Sequence, residues 1–237
     1  MNKMLAIARK ELRNYIQSPI ASIVLCVTII IFNVFFYIII DENREATLRD
    51  VFKVMEFMFI FIVPLLTMKA LAEEKQTGTM EFLMTTPTST ETIVVGKYLG
   101  SLAFLSILIL LTTVYYFIIE FYARIDRPAA LVGYIGIWLE GAFFVAVGLM
   151  TSAWSRNQIV AAMSSYVVLF LLYFSISFIK YFGGQAAQTI RYLGTWSHAE
   201  NFAAGLVTLS DVTYYLSGII LCLTLTRLSI DHKIWNR

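Results

Sequence analysis

The chain has 237 residues, 59% hydrophobic and only 14% charged, with a formal net charge of +2 and a mean hydropathy of +0.74. Soluble domains carry roughly 25% charged residues, so the composition excludes an ordinary soluble domain and predicts one integral membrane domain with no room for a separate soluble one. The net charge is too small to argue for nucleic acid, and Cys26 and Cys222, both within apolar segments, read as small buried apolar residues rather than a disulfide or a metal pair.

Residues 1–17 place Met1, Met4, Leu5, Ala8, Leu12, Tyr15 and Ile16 on one helical face, with Lys3, Arg9, Lys10 and Arg13 largely off it. This pattern predicts an interfacial helix lying in the headgroup plane. Its charged part is long and no A-x-A-like cleavage site follows, so the segment is expected to be retained rather than removed as a signal peptide. Ser18-Pro19 offers an N-cap and a proline at the first helical position. The charge-free residues 20–40 then cover roughly 30 Å at about 1.5 Å per residue, enough for a first transmembrane helix. A second span, 54–72, crosses only if Glu56 and Lys69 reach outward to the two interfaces. Pro64 is expected to kink it.

Residues 73–87 are the most polar interval between two long apolar segments. Met80, Leu83 and Met84 stand three and four apart, which gives a short surface helix one apolar stripe. Thr88 and Glu91 have the form of a capping box opening the third span, 96–119. The fourth span, 129–154, follows Pro128 and is interrupted near its middle by Glu140; the fifth, 158–179, is free of charge. Residues 181–210 are too apolar for a solvated loop and too interrupted to cross, so two short re-entrant helices packed against protein are expected. Asp211 is placed to cap the sixth span, 212–230, with Arg227 snorkelling.

Six spans put both termini on one side. Of the 18 lysines and arginines, the majority (Lys3, Arg9, Lys10, Arg13, Lys69, Lys75, Lys97, Arg156, Arg227, Lys233 and Arg237) fall on that side. The bias predicts cytoplasmic termini, a cytoplasmic 73–87 stretch and an outer 181–210 region.

No G-x-x-x-x-G-K-[ST] loop is present, because Gly96-Lys97 is followed by Tyr98 and position 91 is Glu. No H-E-x-x-H, C-x-x-C or G-x-S-x-G pattern occurs either. His198 and His232 are predicted on opposite sides of the membrane, each solvated or capping, so neither a metal site nor an enzyme is expected. Glu140 is the one carboxylate predicted near the midplane, where a charge costs at least about 2.5 kcal/mol. It reads either as a hydrogen-bonded acid fixing helix packing or as a proton or substrate contact. Tyr115, Tyr116, Trp138, Tyr166 and Tyr173 are expected to pack or anchor rather than line a cavity.

The run A-E-E-K-x-x-G-T-M-E-F-L-M-T-T-P at residues 72–87, followed by I-V-V-G-K-Y-L-G at 93–100, resembles the permease subunit of ABC-2 type transporters. Together with Trp196-Ser197-His198-Ala199-Glu200-Asn201-Phe202, Gly205-Leu206 and Asp211, the chain is most similar to the permeases associated with gliding motility and with nitrous oxide reductase maturation. The resemblance covers nearly all of residues 1–237. It implies an all-α, six-helix half-transporter in the bacterial cytoplasmic membrane that pairs with a second permease, as a homo- or heterodimer. It further implies two ABC ATPase subunits on the cytoplasmic face, which bind the ATP and Mg, and exporter activity toward an unidentified substrate. A periplasmic or membrane accessory protein is a further expected partner. By position, the resemblance makes 73–87 the coupling helix, with Glu73, Glu74, Lys75, Gly78, Thr79, Glu81, Leu83 and Pro87 meeting the ATPase. Two alternatives stay open: a mechanical transmitter to a periplasmic partner with no translocated substrate, and an ATP-independent, proton-coupled transporter using Glu140.

Overall fold

The computed structural model describes residues 3–43, 45–79, 88–178, 181 and 184–235, and among these no strand occurs. The helices are α1 (Lys3–Gln17), α2 (Pro19–Asn43), α3 (Arg49–Thr67), α4 (Lys69–Gln76), α5 (Thr90–Tyr122), α6 (Arg127–Trp154), α7 (Gln158–Phe178), α8 (Gly184–Leu193), α9 (Thr195–Ala203) and α10 (Leu209–Trp235). Among the described residues, six helical stretches are long and apolar enough to cross a membrane: α2, α3 with α4, α5, α6, α7 and α10.

The central column is α6, whose apolar stretch is 72% buried against 11% for α2 at the periphery. It packs against α3, α5, α7, α9 and α10. Lipid is as apolar as a leucine side chain, so helices associate here through close packing rather than through escape from water. The small residues Gly136, Gly141, Ala142, Ala146 and Ala153 of α6 permit that approach, and Phe59, Leu105, Phe144, Leu149, Leu169 and Tyr215 fill the buried space around it.

Helix α1 docks on α5. Gly96 and Gly100 are one turn apart on α5. A Cβ at Gly100 would stand 2.6 Å from the Glu11 Cβ, and one at Gly96 would stand 2.8 Å from the Ile7 Cβ. The bare backbone is therefore the seat of α1, while Leu5 and Ile16 stay exposed.

Three local expectations are corrected. Ser89, not Thr88, caps α5, its hydroxyl accepting from the Thr92 N–H at 3.4 Å; Glu91 pairs with Arg227 of α10 instead of closing a capping box. Thr208, not Asp211, accepts at the start of α10, from the Asp211 N–H at 3.2 Å, and Asp211 turns inward. Glu56 does not reach an interface, being only 4% exposed. Below Pro64 the helix divides at Met68, whose N–H donates to the Pro64 carbonyl at 2.9 Å; α3 ends there and α4 begins.

Candidate functional site

The short helix α4 leaves the bundle with a buried root and an exposed tip: Ala70, Leu71 and Ala72 are buried, Glu73, Glu74 and Lys75 half-buried, and Gln76 to Thr79 exposed. Its root lacks a cap of its own, because the N-cap position is Met68. Ser152 of α6 supplies one from across the bundle. The Ser152 hydroxyl accepts from the Leu71 and Ala72 N–H groups at 3.1 and 3.0 Å and donates to the Met68 carbonyl at 3.2 Å. Orphan donors at a helix start are thereby satisfied, and α4 is tied to the central column.

The second tie is ionic. The Lys97 ammonium of α5 lies 2.8 Å from Glu74 Oε1 of α4 and 3.5 Å from Glu11 Oε2 of α1. Its side chain is 4% exposed, so these carboxylates replace water as its compensation. Burial pushes the Glu11 carboxyl above its ordinary value, with Lys97 opposing the shift. One turn on, the Tyr15 hydroxyl donates to the Leu66 carbonyl at 3.1 Å and lies 3.1 Å from Ser101 Oγ. Burial holds its phenol well above the ordinary range, which keeps it a neutral donor. Beside this cluster opens a cleft of about 460 Å³ lined by Glu11, Asn14, Lys69, Glu73 and Thr79, among others.

The candidate residues of the 73–87 stretch thus separate. Glu73 lines the cleft, and Glu74 is committed inward to Lys97. Lys75 is half-buried. Gly78 has φ +72° with open space around it, a turn that a side chain would strain, and Thr79 Oγ1 lies 2.9 Å from Thr77 Oγ1. Glu81, Leu83 and Pro87 lie outside the described residues. Glu140 is fully buried at the middle of α6 and faces Glu56 of α3 across a cavity of about 10 Å³.

The model of the family described as ABC-2 family transporter protein matches residues 5–224. The chain belongs to that family. The match runs from α1 into α10 and includes both clusters. No curated protein matches the chain. ABC-2 proteins of this kind are multi-pass membrane subunits, normally without enzymatic activity, that work with an ABC ATPase.

In this ABC-2 protein several residues matter that sequence reasoning missed. Lys97 enters the sequence reading in the charge bias and the absent phosphate loop, Glu11 and Ser152 carry no assignment there, and Glu56 reads as a boundary acid. His198 was expected to be solvated or capping, yet it is 4% exposed, with Nδ1 2.6 Å from Asp211 Oδ1 and Nε2 2.9 Å from the Tyr192 carbonyl. Cys222 is buried, but Cys26 is exposed on α2, against expectation. Of the aromatics, Tyr115 donates to Asn33 Oδ1 at 2.9 Å, Trp138 to Ser106 Oγ at 2.9 Å and Tyr166 to the Phe61 carbonyl at 3.1 Å, and Tyr166 also lines an open apolar cavity with Phe61 and Phe170. Among the described residues no three His, Cys, Asp or Glu side chains converge as a metal site would require.

Proposed function

We propose that this protein is the permease subunit of an ATP-driven exporter of the bacterial cytoplasmic membrane, in which α4 and the residues after it form the coupling element. Both termini and α4 face the cytoplasm. Two ABC ATPase subunits bind ATP and Mg there, and a second permease completes the transport path. The substrate is exported or extruded, and the relationship is nearest to the gliding-motility and nitrous-oxide-reductase-maturation permeases.

The observation that supports this reading is the way α4 is mounted. Its exposed tip offers a contact, while its root is held by Ser152 of α6 and, through Lys97, by α5 and α1. A push on the tip therefore reaches the central column and the interfacial helix together. A free surface helix would dissipate it. Glu73 and, by sequence, Glu81 suit basic residues of the partner, with Met80, Leu83 and Met84, spaced three and four apart, as an adaptable apolar set.

Glu81→Lys and Leu83→Asp are expected to weaken co-purification of the ATPase while six spans still insert. Unchanged association in both variants would remove the coupling role.

A further inference from the structure

We propose that Glu56 and Glu140 form a proton-binding site inside the membrane, in which one carboxyl and one carboxylate share a single proton that enters from the face opposite α4. The site does not depend on the ATPase-coupling reading, since it lies on other residues and is tested without the partner.

Glu56 on α3 is 4% exposed and Glu140 on α6 is 0% exposed. Both line one cavity of about 10 Å³, and Glu56 Oε1 and both Glu140 oxygens are buried without a hydrogen-bond partner. Two carboxylates offer only acceptors and repel, so this arrangement is unfavourable if both are ionised. One proton on the pair gives it a donor, so that a charge-assisted O–H···O link, the strong kind, can form across the cavity.

Among the described residues, no neighbouring cation takes the proton's place. Lys53, one turn before Glu56, is held by Asp50 at 2.8 Å, and Arg49 lies 3.5 Å from Glu200 of α9. The other titratable groups around the pair are Tyr173 of α7, Tyr214 and Tyr215 of α10, and Glu200 itself. From α9, His198 stacks on Tyr214 at 4.1 Å and is engaged by Asp211. The Tyr215 hydroxyl is likewise buried without a hydrogen-bond partner. The cavity between the acids, about 10 Å³, holds about one water. That is too little room, and too few oxygens, for a hydrated metal cation.

The route follows from the adjoining space. A cavity of about 250 Å³, lined by Arg49 and Asp126 at the loops opposite α4, shares Phe52 and Ala203 with the small one. Phe52 is the plug between them. A Cβ on Gly133 would stand 2.0 Å from Phe52 Cε2, and one on Gly136 would stand 2.3 Å from the Phe202 Cβ, so the two rings seal against bare backbone.

The test uses the full chain in lipid nanodiscs. Infrared spectra in H₂O and D₂O, compared with the Glu56→Gln/Glu140→Gln double variant, are expected to show the intensity of one protonated carboxyl per chain. Carbodiimide, which modifies protonated carboxyls, is expected to leave an adduct on Glu56 or Glu140 in the wild type, located by peptide mass spectrometry. Phe52→Ala should raise the labelling rate several-fold. Absence of both band and adduct would mean two ionised acids and overturn the site. An intensity of two carboxyls would overturn the shared proton. Adduct yield that falls when Na⁺ is added at constant pH would assign the site to that ion instead, and an unchanged rate in Phe52→Ala would overturn the route. The adduct needs no variant, so the proposal stays testable if the double variant does not fold.

Discussion

Lys97 is the side chain through which α1, α4 and α5 meet, and its removal should be costly out of proportion to its size. In Lys97→Met the ammonium is lost while Glu11 and Glu74 keep facing one another. Breaking a buried pair from one side costs about 3 kcal/mol or more, because the remaining charge is left uncompensated. Thermal unfolding in detergent should show that loss, and Lys97→Met/Glu74→Gln should recover part of it. Strictly additive effects would mean that the two residues do not interact. His198 is the counterpart at the other end. Both its ring nitrogens face acceptors, and Asn201 Nδ2, 3.0 Å from Asp211 Oδ2, also holds the Asp211 carboxylate. His198→Ala should cost about 3 kcal/mol by the same reasoning, read as earlier proteolysis within α8 and α9. A wild-type digestion pattern would argue against it.

Docking of α1 depends on the strip of bare backbone on α5. Gly100→Leu places a branched side chain where a Cβ alone already stands 2.9 Å from the Ala8 carbonyl. Overpacking of this kind costs typically 1–3 kcal/mol, and here α1 can escape by leaving its seat. A cysteine at Ala8 should then become more reactive toward a soluble thiol reagent than in the parent; equal reactivity would show that α1 adapts in place. The first, third and fifth spans were legible in the sequence because an uncharged run about 20 residues long has few other fates. The short helices α8 and α9 were legible because glycines interrupt an apolar stretch. What joins the elements was not. Lys97 looks like any lysine at a span boundary, and its partners lie far away in sequence. Glu56 was assigned to an interface because a lone acid near a span end usually snorkels, a rule that fails when a second acid, Glu140, is waiting across the helix pair. Ser152 carried no signal, since serine in a membrane helix most often bonds its own backbone.

At the scale of the molecule, the parity of the spans decides where α4 points. Helix α5 has 33 residues, about 50 Å at 1.5 Å per residue, against a hydrocarbon core of about 30 Å. In the proposed topology the excess projects at the Thr90 end, where Lys97, Gly96 and Gly100 hold α1. Two spans, α2 and α3 with the root of α4, separate α1 from the tip of α4, so the two share a side. Three more, α5, α6 and α7, separate α4 from α8, so that helix lies opposite. In a background with Cys26→Ser and Cys222→Ser, Gln76→Cys should react with a membrane-impermeant maleimide only after the cytoplasmic face is opened. Gln185→Cys should react in intact spheroplasts. Labelling of both from the same side would mean that one of the six helices does not cross. Reversal of the two would place α4 outside, where no ATPase could reach it.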